Sequence, residues 1–144
     1  MAYEERNVWS GLVLTAIVMT VYVVIILRQA GGGPLTDVVW WPTMLWTIVA
    51  GIVATIVVSI VWGIIAGSRD PDGVGRSDER DLRISHLGSR VGQAFTVIAG
   101  LGVIVLCALE VDWFWIAHTM FFGFALSAFI GGIASVIAYR RGLV

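Results

Sequence analysis

Stretches free of Asp, Glu, Lys and Arg dominate the chain, at 7–27, 38–68, 91–109 and 113–139. Each approaches or exceeds the roughly 20 residues that a helix needs to cross a ~30 Å hydrocarbon core. None shows the period-two alternation of a half-buried strand, and a membrane-spanning segment has to satisfy its backbone polar groups internally. The pattern therefore predicts an all-α polytopic membrane protein. Four transmembrane helices are expected over about 7–27, 43–67, 91–109 and 113–139, in an antiparallel bundle, with a polar loop over 68–90. Of the 144 residues, 58% are hydrophobic and 13% charged, which leaves too little for a soluble domain. One membrane domain, 1–144, is the expected organisation.

Charge gives the bundle a direction. All nine basic residues are arginine, and Arg28 stands alone on one side of the spans. Arg6, Arg69, Arg76, Arg80, Arg83, Arg90, Arg140 and Arg141 fall on the other. By the positive-inside rule, both termini and the 68–90 loop are expected in the cytoplasm, and the two short hairpin loops outside. Tryptophan agrees: Trp40, Trp41, Trp46, Trp113 and Trp115 sit at the outer ends of the second and fourth spans, and Trp9 and Trp62 near the inner ends. The N-terminal leader lacks a basic n-region and its apolar run exceeds a typical signal h-region, so the first span is expected to be retained.

Prolines lie outside the helix interiors, with Pro34 and Pro71 in loops and Pro42 in the first turn of the second helix. The outer loop carries the turn signal Gly31-Gly32-Gly33-Pro34, then a segment from Leu35 to Trp41 expected along the membrane surface. Small residues recur every four positions: Gly51, Thr55, Ser59, Gly63 and Gly67; Gly88, Gly92, Thr96 and Gly100; Gly123, Ser127, Gly131 and Ser135. Such rows let helix backbones approach closely within one chain or between copies, so a homo-oligomer through a small-residue face is one expectation.

The central loop is the one concentrated polar feature. From Ser77 it runs without a breaker into the third span, so the third helix is expected to project about three turns into the cytoplasm. Ser77 or Asp78 is placed to cap it, and Glu79 and Arg83 form an i,i+4 pair with His86 and Arg90 on the same side. Asp78, Glu79, Arg80, Asp81, Arg83 and Arg90 are the candidate partner-binding residues, since interleaved acids and arginines form specific charge pairs. The plainer reading is a solvated helix end that sets topology.

Candidate chemistry is sparse. Cys107 is the only cysteine, which excludes an intrachain disulfide or a CxxC pair. His86 and His118 lie at opposite ends of the membrane, too far apart to ligate one haem. There is no HExxH or GxSxG motif, so no enzyme, cofactor or metal is expected, and no nucleic-acid partner. His118 is an ionisable group inside a span and a functional candidate by default. With Glu110 and Asp112 at the neighbouring boundary it makes a candidate titratable cluster; alternatively it is neutral and hydrogen-bonded to a helix carbonyl or interfacial water.

The order of elements resembles a family of small four-helix bacterial integral membrane proteins. The matching features are the Glu-Glu-Arg start, Pro42 with Met44-Leu45-Trp46, the Asp78-Glu79-Arg80-Asp81 motif, Val91 to Phe95, Asp112 to His118, and Tyr139-Arg140-Arg141-Gly142. The resemblance implies a bacterial inner-membrane protein with a regulatory or membrane-stress role, and it carries over no catalytic residue. Together these readings favour an accessory or regulatory component that contacts lipid and a cytoplasmic or membrane protein partner. A small-molecule transporter or exporter, or a protective protein against a membrane-active compound, is the alternative. Exporters of this size place a carboxylate in the first helix, and the first span here has none.

Overall fold

The computed structural model describes residues 3–69 and 79–141. Four helices account for most of them: α1 (Tyr3–Ala30), α2 (Trp41–Arg69), α3 (Glu79–Ala108) and α4 (Trp113–Arg141). All four are long and apolar enough to cross a membrane, and no strand occurs among the described residues. The chain is thus all-α, as its hydropathy pattern predicts. α3 begins about three turns ahead of Val91 as one continuous helix. Asp78 lies outside the described residues.

The helices pack in the order α2–α1–α4–α3. α4 is flanked by α1 and α3, and the α3–α4 seam is the most extensive contact. α2 leans mainly on α1, and of its described side chains only Met44 is buried. The reason for the tight seam lies in the small-residue rows. Built onto Gly131, a Cβ would stand 2.7 Å from the Gly88 carbonyl oxygen; on Gly92 it would stand 2.8 Å from that of Ser127. Only hydrogen fits there, which brings the backbones into Cα–H···O range. Ser127 Oγ then donates across the seam to the Gly92 carbonyl at 2.7 Å.

The short connections are built by local backbone chemistry. α1 ends where Gly31 (φ 55°) and Gly32 (φ 88°) take left-handed conformations. After it, a 3-10 turn at Leu35–Asp37 carries the chain inward. Leu35, Val38 and Trp40 pack onto the buried cluster of Tyr22, Ile26, Met44, Phe114 and Phe121, while Thr36, Asp37, Val39 and Trp41 are exposed. α3 stops in a Schellman arrangement, with Val111 N–H bonded to Leu106 O and Glu110 N–H to Cys107 O, and Glu110 left-handed at φ 53°. Asp112 caps α4, its Oδ1 accepting from Phe114 N–H at 2.8 Å. Cys107 is exposed on the surface of α3.

Candidate functional site

At the tryptophan-rich end, α1 and α4 are joined by a buried polar contact. Tyr22 and His118 retain only 1% and 5% of their exposure. The ring Nδ1 of His118 lies 2.6 Å from Phe114 O, one turn earlier on α4. A carbonyl can only accept, so Nδ1 carries the proton. In the neutral ring Nε2 then has a lone pair, and it accepts from the Tyr22 hydroxyl at 2.7 Å. Both nitrogens of a neutral imidazole are satisfied without any charge in the apolar interior. Phe114 stacks on the ring at 3.8 Å between centroids, and Trp40 meets it edge-on at 5.5 Å. An apolar pocket of ≈ 240 Å³ adjoins the pair, lined in part by Ile26, Leu35, Phe114 and Phe122.

The structure does not bring His118 together with the two acids near it in sequence. Asp112 is used as the α4 cap, and Glu110 is exposed at the turn. The partner that it does bring, Tyr22, is 96 residues away in sequence. No cluster of His, Cys, Asp and Glu able to hold a metal occurs among the described residues.

At the arginine-rich end the charged start of α3 divides between two faces. Arg80 donates to the Tyr139 carbonyl at 3.2 Å, one of the acceptors left over at the end of α4. The Tyr139 hydroxyl donates back to Asp81 Oδ1 at 3.0 Å. These two contacts clamp the projecting turns of α3 onto the last turn of α4. Glu79, Arg83, His86 and Arg90 recur at i, i+4, i+7 and i+11, on the side away from α4, and all four are exposed. Arg83 and Glu79 meet at 3.5 Å with their side chains 63% and 86% exposed, a pairing that adds little to stability. Around the same end, Arg6 stands over the Trp62 ring and Arg140 over that of Trp9, while Trp62 Nε1 donates to Ser10.

At the arginine-rich end, α3, α4 and the start of α1 line an open cleft of ≈ 660 Å³ that runs from Asp81 and Tyr139 to Gln93 and Ser127. Its floor is Gly88, Gly92, Gly131 and Gly132. Compared with known protein families, curated proteins and solved structures, the chain matches none.

Proposed function

We propose that the chain is a non-enzymatic accessory or regulatory component of a bacterial inner membrane, with both termini and the 68–90 segment on the cytoplasmic side. It contacts a cytoplasmic or membrane protein partner through the outward face of the α3 projection. The observation that carries this reading is the division of the charged segment. Arg80 and Asp81 hold α3 to α4, whereas Glu79, Arg83, His86 and Arg90 form an exposed stripe that no described part of the fold uses for packing. A helix face bearing one acid and then two arginines is suited to steering a partner of complementary charge and fixing its register.

The test is photo-crosslinking from position 86 in the native host. A single adduct of defined mass is expected in the otherwise wild-type protein. It should disappear in Arg83→Glu/Arg90→Glu, with membrane insertion unchanged. No adduct, or one indifferent to charge reversal, would remove the docking role. A transporter is the second reading, and its specific support is the Tyr22–His118 pair beside an apolar pocket. That pair is saturated by its own hydrogen bonds, which is why docking is preferred.

A further inference from the structure

The cleft at the arginine-rich end has a lining that its position in the membrane does not explain. Ser85, Ser89 and Gln93 lie at i, i+4 and i+8 along α3, are exposed, and carry no hydrogen bond among the described residues. By contrast, the hydroxyls of Thr20, Thr47, Thr55, Thr119 and Ser135 each return to the carbonyl four residues earlier. Depth follows from the helix contacts. Leu12 packs at Gly132 and Gly88 at Ser135 and Gly131, so Gly88 is level with the first turns of α1, where Trp9 and Arg140 mark the headgroup zone. Gln93 is about 7 Å of helix rise further in. A row of unpaired polar groups thus descends from the headgroup zone into the apolar one, in a cleft open to the side.

We propose that this cleft binds the headgroup and glycerol region of an aminophospholipid, phosphatidylethanolamine in class, taken from the leaflet at the arginine-rich end. The order of groups matches such a lipid read inward. Asp81 stands at the mouth, with Oδ1 already accepting from Tyr139 and Oδ2 left for a primary ammonium. Arg80 does not line the cleft, but its guanidinium is held at the same end by its bond to Tyr139 O and has further N–H groups for a phosphate. Ser85 and Ser89 then follow at headgroup depth, and Gln93 at the depth of the glycerol and ester oxygens. A quaternary choline has no N–H to donate to Asp81, and a glycerol headgroup has no cation to set against it.

The protein reconstituted in nanodiscs of equal parts palmitoyl-oleoyl phosphatidylethanolamine, phosphatidylcholine and phosphatidylglycerol is released by native mass spectrometry, and the retained lipid is weighed. Phosphatidylethanolamine should be retained about tenfold over the other two, the ratio expected of one charge-assisted hydrogen bond. Asp81→Asn should abolish that preference. Ser89→Ala/Gln93→Leu, which leaves the clamp to Tyr139 untouched, should lower retention of lipid altogether at unchanged helicity. Equal retention of the three lipids, a preference that survives Asp81→Asn, or a dimer with no retained lipid would each overturn the assignment.

Discussion

A neutral imidazole in an apolar interior has one donor and one acceptor to satisfy, and His118 finds one of each in Phe114 O and the Tyr22 hydroxyl. The second bond joins α1 to α4 and so bears on the fold. Interhelical hydrogen bonds in membranes average about 0.6 kcal/mol in double-mutant cycles, with a ceiling near 1.7. A Tyr22→Phe/His118→Leu cycle, read by reversible unfolding in lipid, should give a coupling of about 0.6–1.7 kcal/mol. In the same samples, ¹⁵N spectra of the two histidines should show His118 protonated at Nδ1 alone. An Nε2-protonated ring would mean that the Phe114 contact is not the bond described. The histidine was legible in the sequence as the uncomfortable residue of the fourth span, and its need for a carbonyl partner with it. Its tyrosine was not, because charge draws attention to Glu110 and Asp112, which are near in sequence, while 96 residues separate the true partner. One signal was present: Tyr22 lies six residues before Arg28, which closes the first apolar run, and His118 five after Trp113, which opens the fourth, so antiparallel spans set them at similar depth.

At the scale of the helix pair, glycine position rather than glycine number sets the strength of the seam. The four-residue rows read from the sequence do meet between α3 and α4, but the α3 row drifts. Each four-residue step turns 40° beyond a full circle, so three steps carry Gly100 about 120° away from the face that begins at Gly88. A Cβ at Gly100 meets nothing within 4 Å. Ala99 takes its place, packed against Gly123 so closely that a Cβ there would collide. Two substitutions of one chemistry should therefore part company. Gly131→Ala places a methyl 2.7 Å from a backbone oxygen that cannot swing aside, and should destabilise by about 1–3 kcal/mol. Gly100→Ala should be neutral, or stabilising by up to ~1 kcal/mol through helix propensity. Equal effects in a steric-trapping or denaturant titration would mean that the seam is not the close contact described. Spacing alone exposes the rows; which member of a row faces the neighbour depends on the crossing of the helices, which no single chain segment encodes. The same holds for Arg80 and Asp81, where the clustering was legible and the α4 terminus that engages them was not.

Across the whole molecule, hydropathy prescribes four helices but not their neighbours. Lipid supplies no hydrophobic drive to close a square, so the order α2–α1–α4–α3 follows from which faces carry small or polar groups. The faces of α3 and α4 carry the glycine rows, those of α1 and α4 the Tyr22–His118 bond, and those of α1 and α2 the bond from Trp62 to Ser10. Direction across the bilayer is a separate question, and the proposed one, with the arginine-rich end in the cytoplasm, rests on charge. Inverting the molecule would move eight arginines outward in exchange for one, against a bias that acts on short loops near the spans. In a Cys107→Ser background, Thr36→Cys and His86→Cys place single thiols at opposite ends, both at exposed positions. A membrane-impermeant maleimide should label the first in intact cells and the second only after permeabilisation. The reverse pattern would put the Glu79–Arg90 stripe outside the cell, leaving no cytoplasmic partner for it to meet, and would turn the polar cleft toward the other leaflet. The labelling result therefore fixes which compartment the charged stripe of α3 faces and which leaflet the polar cleft opens to.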